Sequence, residues 1–273
     1  MRVAIDAMGG DYAPQEIVLG AVEAAKEFNC EIVLVGDQEK INQTLRACPN
    51  WQQLNITVHH ASEVIGMNEH PAAAIRKKKD ASVVVATRLV KEGYCDVVIS
   101  AGSTGAAASA ALLGLGRIEG IERPAIATPI PNLTGTTVLL DSGANVDSKP
   151  KHLVQSAIMG SIYAEYVLGI KNPRVGLLSI GEEDIKGNEQ VLATLPLLKQ
   201  LKSINFIGNV EGRDIPKGTV DVVVCDGFVG NIVLKFGEGL ASAIMQLVKN
   251  TIREHGMMAK IASLLIMPAL RKL

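Results

Sequence analysis

Short apolar runs rich in β-branched residues recur along the chain. Each is followed by a glycine-bearing turn and then by a stretch with helical periodicity. Arg2–Ile5 runs into Asp6-Ala7-Met8-Gly9-Gly10-Asp11, and Ile32–Val35 into Gly36-Asp37, where Asp37 can cap a helix reaching toward Ala47. Asp96–Ile99 leads into Ser100-Ala101-Gly102-Ser103-Thr104-Gly105, and Thr137–Leu140 into Asp141-Ser142-Gly143-Ala144-Asn145. Val175–Leu178 leads into Ser179-Ile180-Gly181-Glu182-Glu183-Asp184, Ile204–Ile207 into Gly208-Asn209, and Val220–Val224 into Cys225-Asp226-Gly227.

Continuous apolar strands are buried on both faces, and strands that alternate with helices pair in parallel, because parallel neighbours need long crossovers. The pattern predicts an α/β fold: a wound, mostly parallel sheet with helices on both faces. In such sheets ligands bind at the carboxyl ends of the strands, where nearly all the unusual residues of this chain fall. A single α/β catalytic domain is expected over residues 1–273. Pro129-Ile130-Pro131-Asn132 interrupts the pattern and marks a possible boundary for a smaller lobe. Pro150 opens a helix over Lys151–Leu168, and Val229–Arg253 reads as one long helix. Met257–Met267 is almost uniformly apolar, so residues 257–273 are expected to form an apolar helical tail.

Composition narrows the functional classes. With 48% apolar and 20% charged residues, the 273-residue chain can bury a large core and is not a disordered one. A formal charge of −1 and only 3% aromatics give neither the electrostatic pull nor the stacking surface of a nucleic-acid binder. Cys30, Cys48, Cys95 and Cys225 form no CxxC pair and have no zinc spacing, which fits reduced, buried thiols in a cytoplasmic protein. No signal peptide opens the chain, because Met1–Asp6 reads as a strand, and no unbroken apolar run is long enough to cross a bilayer.

The loops supply the candidate chemistry. Ser103, Thr104 and Gly105 join a strand to a helix, where open backbone N–H groups attract anions; a tight packing turn explains them equally well. The loop is neither a Walker A motif nor a dinucleotide fingerprint. Asn145 offers both donors and an acceptor within a turn that also holds Asp141 and Asp147. Lys186 is the lone cation of a polar, glycine-flanked loop and can neutralise a phosphate, or simply keep the surface soluble. The acidic trio beside it, Glu182, Glu183 and Asp184, reads as a solvated loop rather than a magnesium site. Gly227, Gly230 and Asn231 open the long helix, beside its exposed N–H groups. Cys225 is a nucleophile only if that helix start lowers its pKa; a buried spectator thiol is the competing reading. Capping and surface positions account for the five histidines.

Taken in order, Asp6–Asp11, Ser100–Ala106, Asp141–Asp147, Pro173–Leu178 with Lys186-Gly187-Asn188-Glu189, and Asp226–Asn231 resemble the bacterial phosphate acyltransferase family of phospholipid synthesis. The resemblance spans the whole chain. It implies transfer of a fatty acyl group from acyl-carrier protein (ACP) to inorganic phosphate, giving an acyl phosphate and free ACP. It further implies a homodimer, no metal or organic cofactor, and a fold similar to phosphotransacetylases and isopropylmalate dehydrogenases. A cytoplasmic enzyme in peripheral contact with the membrane, or with the next acyltransferase, is expected. In that picture Lys186, Asn231 and Asn145 are the catalytic candidates, Ser103–Gly105 with Gly227 and Gly230 hold phosphate, and Leu264, Leu265 and Ile266 touch lipid or the acyl chain. The family pattern continues some tens of residues beyond Leu273. Two other classes compete: an NAD-dependent hydroxyacid dehydrogenase of similar fold, and a non-catalytic module that binds ACP or a membrane.

Overall fold

The computed structural model describes residues 1–254. The apolar tail at 257–273, with Leu264, Leu265 and Ile266, lies outside the described residues, as does His255. The chain divides into two compact units. The first holds Met1–Ile126, Gly143–Asn145 and Val154–Ser156; the second holds Ala127–Ser142, Val146–Leu153 and the chain from Ala157 on.

In the first unit the order is β1 (Arg2–Asp6), α1 (Gln15–Phe28), β2 (Glu31–Gly36), α2 (Gln38–Arg46), β3 (Ile56–His60), α3 (Pro71–Lys77), α4 (Ser82–Lys91), β4 (Val97–Ser100) and α5 (Thr104–Gly114). The strands pair in parallel in the order β3-β2-β1-β4. Side chains alternate between faces. Val3, Ile5, Ile32 and Leu34 pack with Val18, Val22, Ile41 and Leu45 of α1 and α2. Ala4, Val33 and Val35 pack with Val85, Ala86 and Leu89 of α4. Burial on both faces is why these strands read as continuous apolar runs. Asp37 caps α2 as the sequence suggests, its Oδ1 accepting from the N–H groups of Glu39 (3.1 Å) and Lys40 (3.2 Å).

The second unit contains β5 (Ala127–Asn132), β6 (Gly135–Leu140), α6 (Pro150–Tyr166), β7 (Arg174–Leu178), α7 (Glu189–Gln200), β8 (Asn205–Val210), α8 (Asp214–Lys217), β9 (Val222–Val224) and α9 (Gly227–Glu254). Its sheet runs β5-β6-β9-β7-β8, parallel except for the β5–β6 hairpin. Leu139, Val223 and Cys225 pack with Ile215 and with Val229 and Val233 of α9 on one face. On the other face α6 comes close at Gly160, where a Cβ would lie 2.6 Å from Val222.

The mostly parallel α/β architecture matches the sequence pattern, with two differences. The strands form two sheets rather than one, parted by 115–126, where Gly116 and Gly120 take positive φ and neither strand nor helix forms. Pro129 and Pro131 lie inside β5 instead of between elements. β5 is an edge strand paired only with β6, so a missing N–H need break no ladder bond. The long helix α9 also has the length and mean hydropathy, 1.3 over its most apolar window, of a membrane span, although no unbroken apolar run occurs in it. Lys235 and Glu238 pair at 2.9 Å on this helix.

An ion pair fastens the start of β7. Arg174 Nη2 and Nε donate to Asp221 Oδ1 (2.8 Å) and Oδ2 (2.9 Å), and the Arg174 N–H adds a third bond to Oδ2 (2.7 Å). The Arg174 guanidinium holds the Asp221 carboxyl below the usual carboxylate range, against the opposing cost of burial. A carboxyl depressed in the folded state stabilises above its unfolded pKa, and that stability is lost as pH falls through the folded one. Asp221→Asn is therefore expected to cost about 1.5–3 kcal/mol at neutral pH, with the deficit shrinking below about pH 4. Urea midpoints of both proteins across that range measure it, and a deficit independent of pH would contradict the assignment.

Candidate functional site

The first unit presents a glycine-lined loop at the carboxyl ends of β1 and β4. Asp6, at the end of β1, is 3% exposed, yet it is well supplied with donors. Ser100 Oγ donates to Asp6 Oδ2 at 2.6 Å, and the Met8 N–H approaches Oδ1 at 3.3 Å. Ser100 Oγ in turn accepts the Gly102 N–H at 3.2 Å. Gly9 packs between them: a Cβ there would strike the Asp6 carboxylate and lie 3.0 Å from Gly102 N. The two loops thus interlock through a buried carboxylate, a Gly9 with no room for a side chain and a Gly102 whose Cβ would lie 3.2 Å from Gly9 Cα.

The chain then enters α5. Ser103 is its N-cap, with Oγ accepting from Ala106 N at 3.4 Å. The N–H groups of Thr104 and Gly105 precede the first intrahelical bonds, and no acceptor faces them among the described residues. Thr104 is exposed and Gly105 half-buried. A helix start with open N–H groups and its positive dipole end receives an anion.

The second unit has a different arrangement at the ends of β7 and β9. A cavity of about 160 Å³ is lined by Leu153, Leu177, Val191, Cys225 and Val229, with Ser179, Asn188, Gln190 and Asp226 as its polar members. The 179–188 loop and the start of α9 both border it. Lys186 lies on that loop, exposed, and its ammonium has no partner among the described residues, whereas Asp184 pairs with Lys199 and Glu182 with Arg213 at 4.0 Å. Among the described residues no cluster of side chains suits a metal ion.

At α9 the expected open helix start is closed. Asp226 Oδ1 accepts from both Phe228 N and Val229 N at 2.9 Å, and Gly230 N bonds the Asp226 carbonyl. A carboxylate already fills the position that an incoming anion needs. Gly227 and Gly230 are buried, and Asn231 is exposed. Gly230 is a packing glycine, since a Cβ there would fall on the Asp141 carbonyl oxygen. Burial pushes the Cys225 thiol far above its ordinary range, with the Asp226 and Asp141 charges acting in the same direction. The thiolate needed for a nucleophile is thereby suppressed.

The candidates therefore divide. Ser103, Thr104, Gly105 and Asn145 belong to the first unit; Lys186, Gly227, Gly230 and Asn231 belong to the second. Asn145 Nδ2 donates to the Pro124 carbonyl at 2.7 Å, which ties down its turn. The Asp6–Ser100 pair escaped sequence reasoning, because nothing in the spacing of two residues 94 apart signals that they meet. The cap at Asp226 was legible: aspartate directly before the first helical residue is an ordinary N-cap signal.

The chain as a whole is similar to known proteins. The family described as "Fatty acid synthesis protein" matches residues 1–273. A phosphate acyltransferase from Heliobacterium modesticaldum (strain ATCC 51547 / Ice1) is 58% identical over 271 residues, 99% of this chain and 80% of the relative. Another, from Desulfitobacterium hafniense (strain Y51), is 57% identical over 275 residues, 100% of this chain and 81% of the relative. Among solved structures, a phosphotransacetylase from Streptococcus pyogenes superposes with TM-score 0.64 at 18% identity, covering 89% of this chain and 82% of that one. The EutD phosphotransacetylase from Staphylococcus aureus gives TM-score 0.61 at 16% identity over the same shares. At such identities the structural likeness speaks for the fold alone.

Proposed function

The chain belongs to the fatty acid synthesis protein family, with phosphate acyltransferases as its relatives, and from that membership we propose how this enzyme transfers an acyl group to phosphate. The donor is acyl-ACP, and phosphate attacks the thioester directly. Phosphate is itself a nucleophile, so the enzyme's task is to hold an anion against the thioester carbonyl and to stabilise the oxyanion that forms. Positioning contributes roughly 7–11 kcal/mol to such a reaction. Each donor aimed at the oxyanion adds about 3–4 kcal/mol. Attack expels the carrier thiolate, which leaves as the free thiol after taking a proton.

The observation that carries this reading is the contrast between the two helix starts. Thr104 and Gly105 keep open N–H groups, while those of Phe228 and Val229 are spent on Asp226. Ser103, Thr104 and Gly105 therefore receive phosphate. Gly227 and Gly230 serve close packing, and Lys186, with its unpaired ammonium, is the second unit's group for neutralising an anionic substrate. Asn145 in the first unit and Asn231 in the second each offer an amide to a substrate. Burial of the Cys225 thiol supports direct attack over an acyl-enzyme.

The protein acts as a cytoplasmic homodimer in peripheral contact with the membrane. Phe228, Ile232, Phe236, Leu240, Ile244 and Val248 recur every four residues along α9, all exposed, and form an apolar stripe suited to a second copy. The lipid contact rests on the sequence of Met257–Met267 alone.

Palmitoyl-ACP discharge tests the chemistry. The wild type should release ACP only when phosphate is present. Lys186→Ala should raise the phosphate KM or lower kcat by more than about tenfold, about 1.4 kcal/mol. Phosphate-independent discharge, or near-wild-type kinetics for Lys186→Ala, would remove the corresponding assignment.

A further inference from the structure

A run of four cations closes α3: Arg76, Lys77, Lys78 and Lys79 follow one another on a chain whose net charge is only −1. Arg76, Lys77 and Lys79 are exposed, and none has an ion-pair partner among the described residues. Lys78 alone is engaged, with Glu69 Oε1 at 2.6 Å and the Val64 carbonyl at 2.8 Å. The nearby carboxylates are already committed. Glu69 holds Lys78, Asp80 accepts from Ser62 N (2.7 Å) and Oγ (2.6 Å), and Glu63 accepts the Asp80 N–H at 3.1 Å. Exposed Arg88 of α4 extends the patch: its charge, with the Ser62 bonds ahead of it, helps hold the Asp80 carboxyl below the usual range.

The patch sits beside the phosphate loop. The Pro71 ring, at the start of α3, packs so closely on Gly105 that a Cβ there would lie 2.8 Å from Pro71 Cγ. At about 1.5 Å per residue, Arg76 is roughly 7–8 Å further along the helix axis. Potential from such a cluster reaches about 8 Å at physiological salt and steers an oppositely charged partner during encounter.

We infer that Arg76, Lys77, Lys79 and Arg88 form the docking surface for a carboxylate-rich protein that carries the acyl thioester and delivers it to the Ser103–Gly105 loop. The inference rests on the proposal that the donor is acyl-ACP. Charge alone fits a carboxylate-rich protein and an anionic lipid surface alike, and the lack of an interleaved apolar side chain favours the protein. The run Arg76–Lys79 has no large apolar side chain interleaved to enter a bilayer, and Ala72 and Ala73 are the adjoining exposed or half-buried apolar residues on α3. Unpaired cations also pay no penalty for giving up existing partners when carboxylates arrive.

The test compares two donors with the same acyl group, acyl-ACP and an acyl-pantetheine thioester, in the full-length dimeric enzyme. Lys77→Glu/Lys79→Glu should raise the KM for acyl-ACP by about tenfold or more and flatten its rise with salt. The kcat should stay unchanged, as should the KM for the pantetheine thioester. Lys77→Gln/Lys79→Gln repeats the test with a smaller effect should the reversal variant fold poorly. An unchanged acyl-ACP KM, or an equal shift for both donors, overturns the docking surface while leaving the donor reading intact. A wild type that turns over the pantetheine thioester but not acyl-ACP overturns the donor reading and this inference together. Loss of binding to anionic phospholipid vesicles, with acyl-ACP kinetics intact, reassigns the patch to the membrane and overturns the proposal.

Discussion

Gly230→Ala should lower the stability of the enzyme by about 3 kcal/mol or more, even though alanine is the better helix former. Gly230 lies in the first turn of α9 and is buried. A Cβ at this position falls on the Asp141 carbonyl oxygen and lies 2.9 Å from Cys225 Sγ. Neither neighbour can swing aside. The carbonyl is backbone at the end of β6, and the thiol is 4% exposed within the core. Accommodation requires α9 to lift from the strand ends, which opens the contacts of Val229 and Val233 with the sheet. Gly237 and Gly239, in the same helix, meet nothing within 4 Å and serve as controls. Gly237→Ala should gain up to about 1 kcal/mol from helix propensity alone. Urea unfolding of the two variants separates close approach from propensity, and equal midpoints would refute the packing argument.

The fold was legible where one chain segment carries the whole signal. β1, β2, β6 and β7 follow apolar runs because both faces of each strand are buried, and Asp37 announces α2 as the cap directly before its first residue. The hairpin strand β5 was not legible: its prolines are breakers in a central strand, and only its place at an edge makes them tolerable. The same division runs through the site. Glycine loops and a lone lysine can be picked out locally, since their peculiarity is their composition. That Ser100 meets Asp6, or that Pro71 packs on Gly105, depends on the parallel register of β1 with β4 and on the seat of α3 against α5. Long-range pairing of that kind leaves no trace in spacing. The open or closed state of a helix start lies between these cases. Ser103 and Asp226 both cap, but the serine takes the third N–H of its helix and leaves two free, whereas the aspartate takes two and adds a negative charge.

The second large effect is expected at Ser100. Its hydroxyl donates a hydrogen bond to Asp6 Oδ2 and accepts one from the Gly102 N–H, so a single oxygen links the end of β1 to the loop that opens α5. Ser100→Ala removes both bonds and leaves a 97%-buried carboxylate short of its nearest donor, since Asp6 is only 3% exposed. The expected loss is about 2–4 kcal/mol, most of it the cost of the stranded charge rather than of the lost contact. That origin makes a distinct prediction for the pair. Asp6→Asn keeps the shape of the side chain but carries no charge to strand, so Ser100→Ala should cost at least about 1 kcal/mol less in the Asp6→Asn background than in the wild type. The phosphate KM should rise in Ser100→Ala as the Gly102–Gly105 loop loses its anchor, while thermal unfolding of the second unit stays unshifted if the units melt separately. Strictly additive stability effects for the two substitutions would mean that the carboxylate does not depend on Ser100, and the strut between the two glycine loops would have to be sought in Met8 and Gly9 instead.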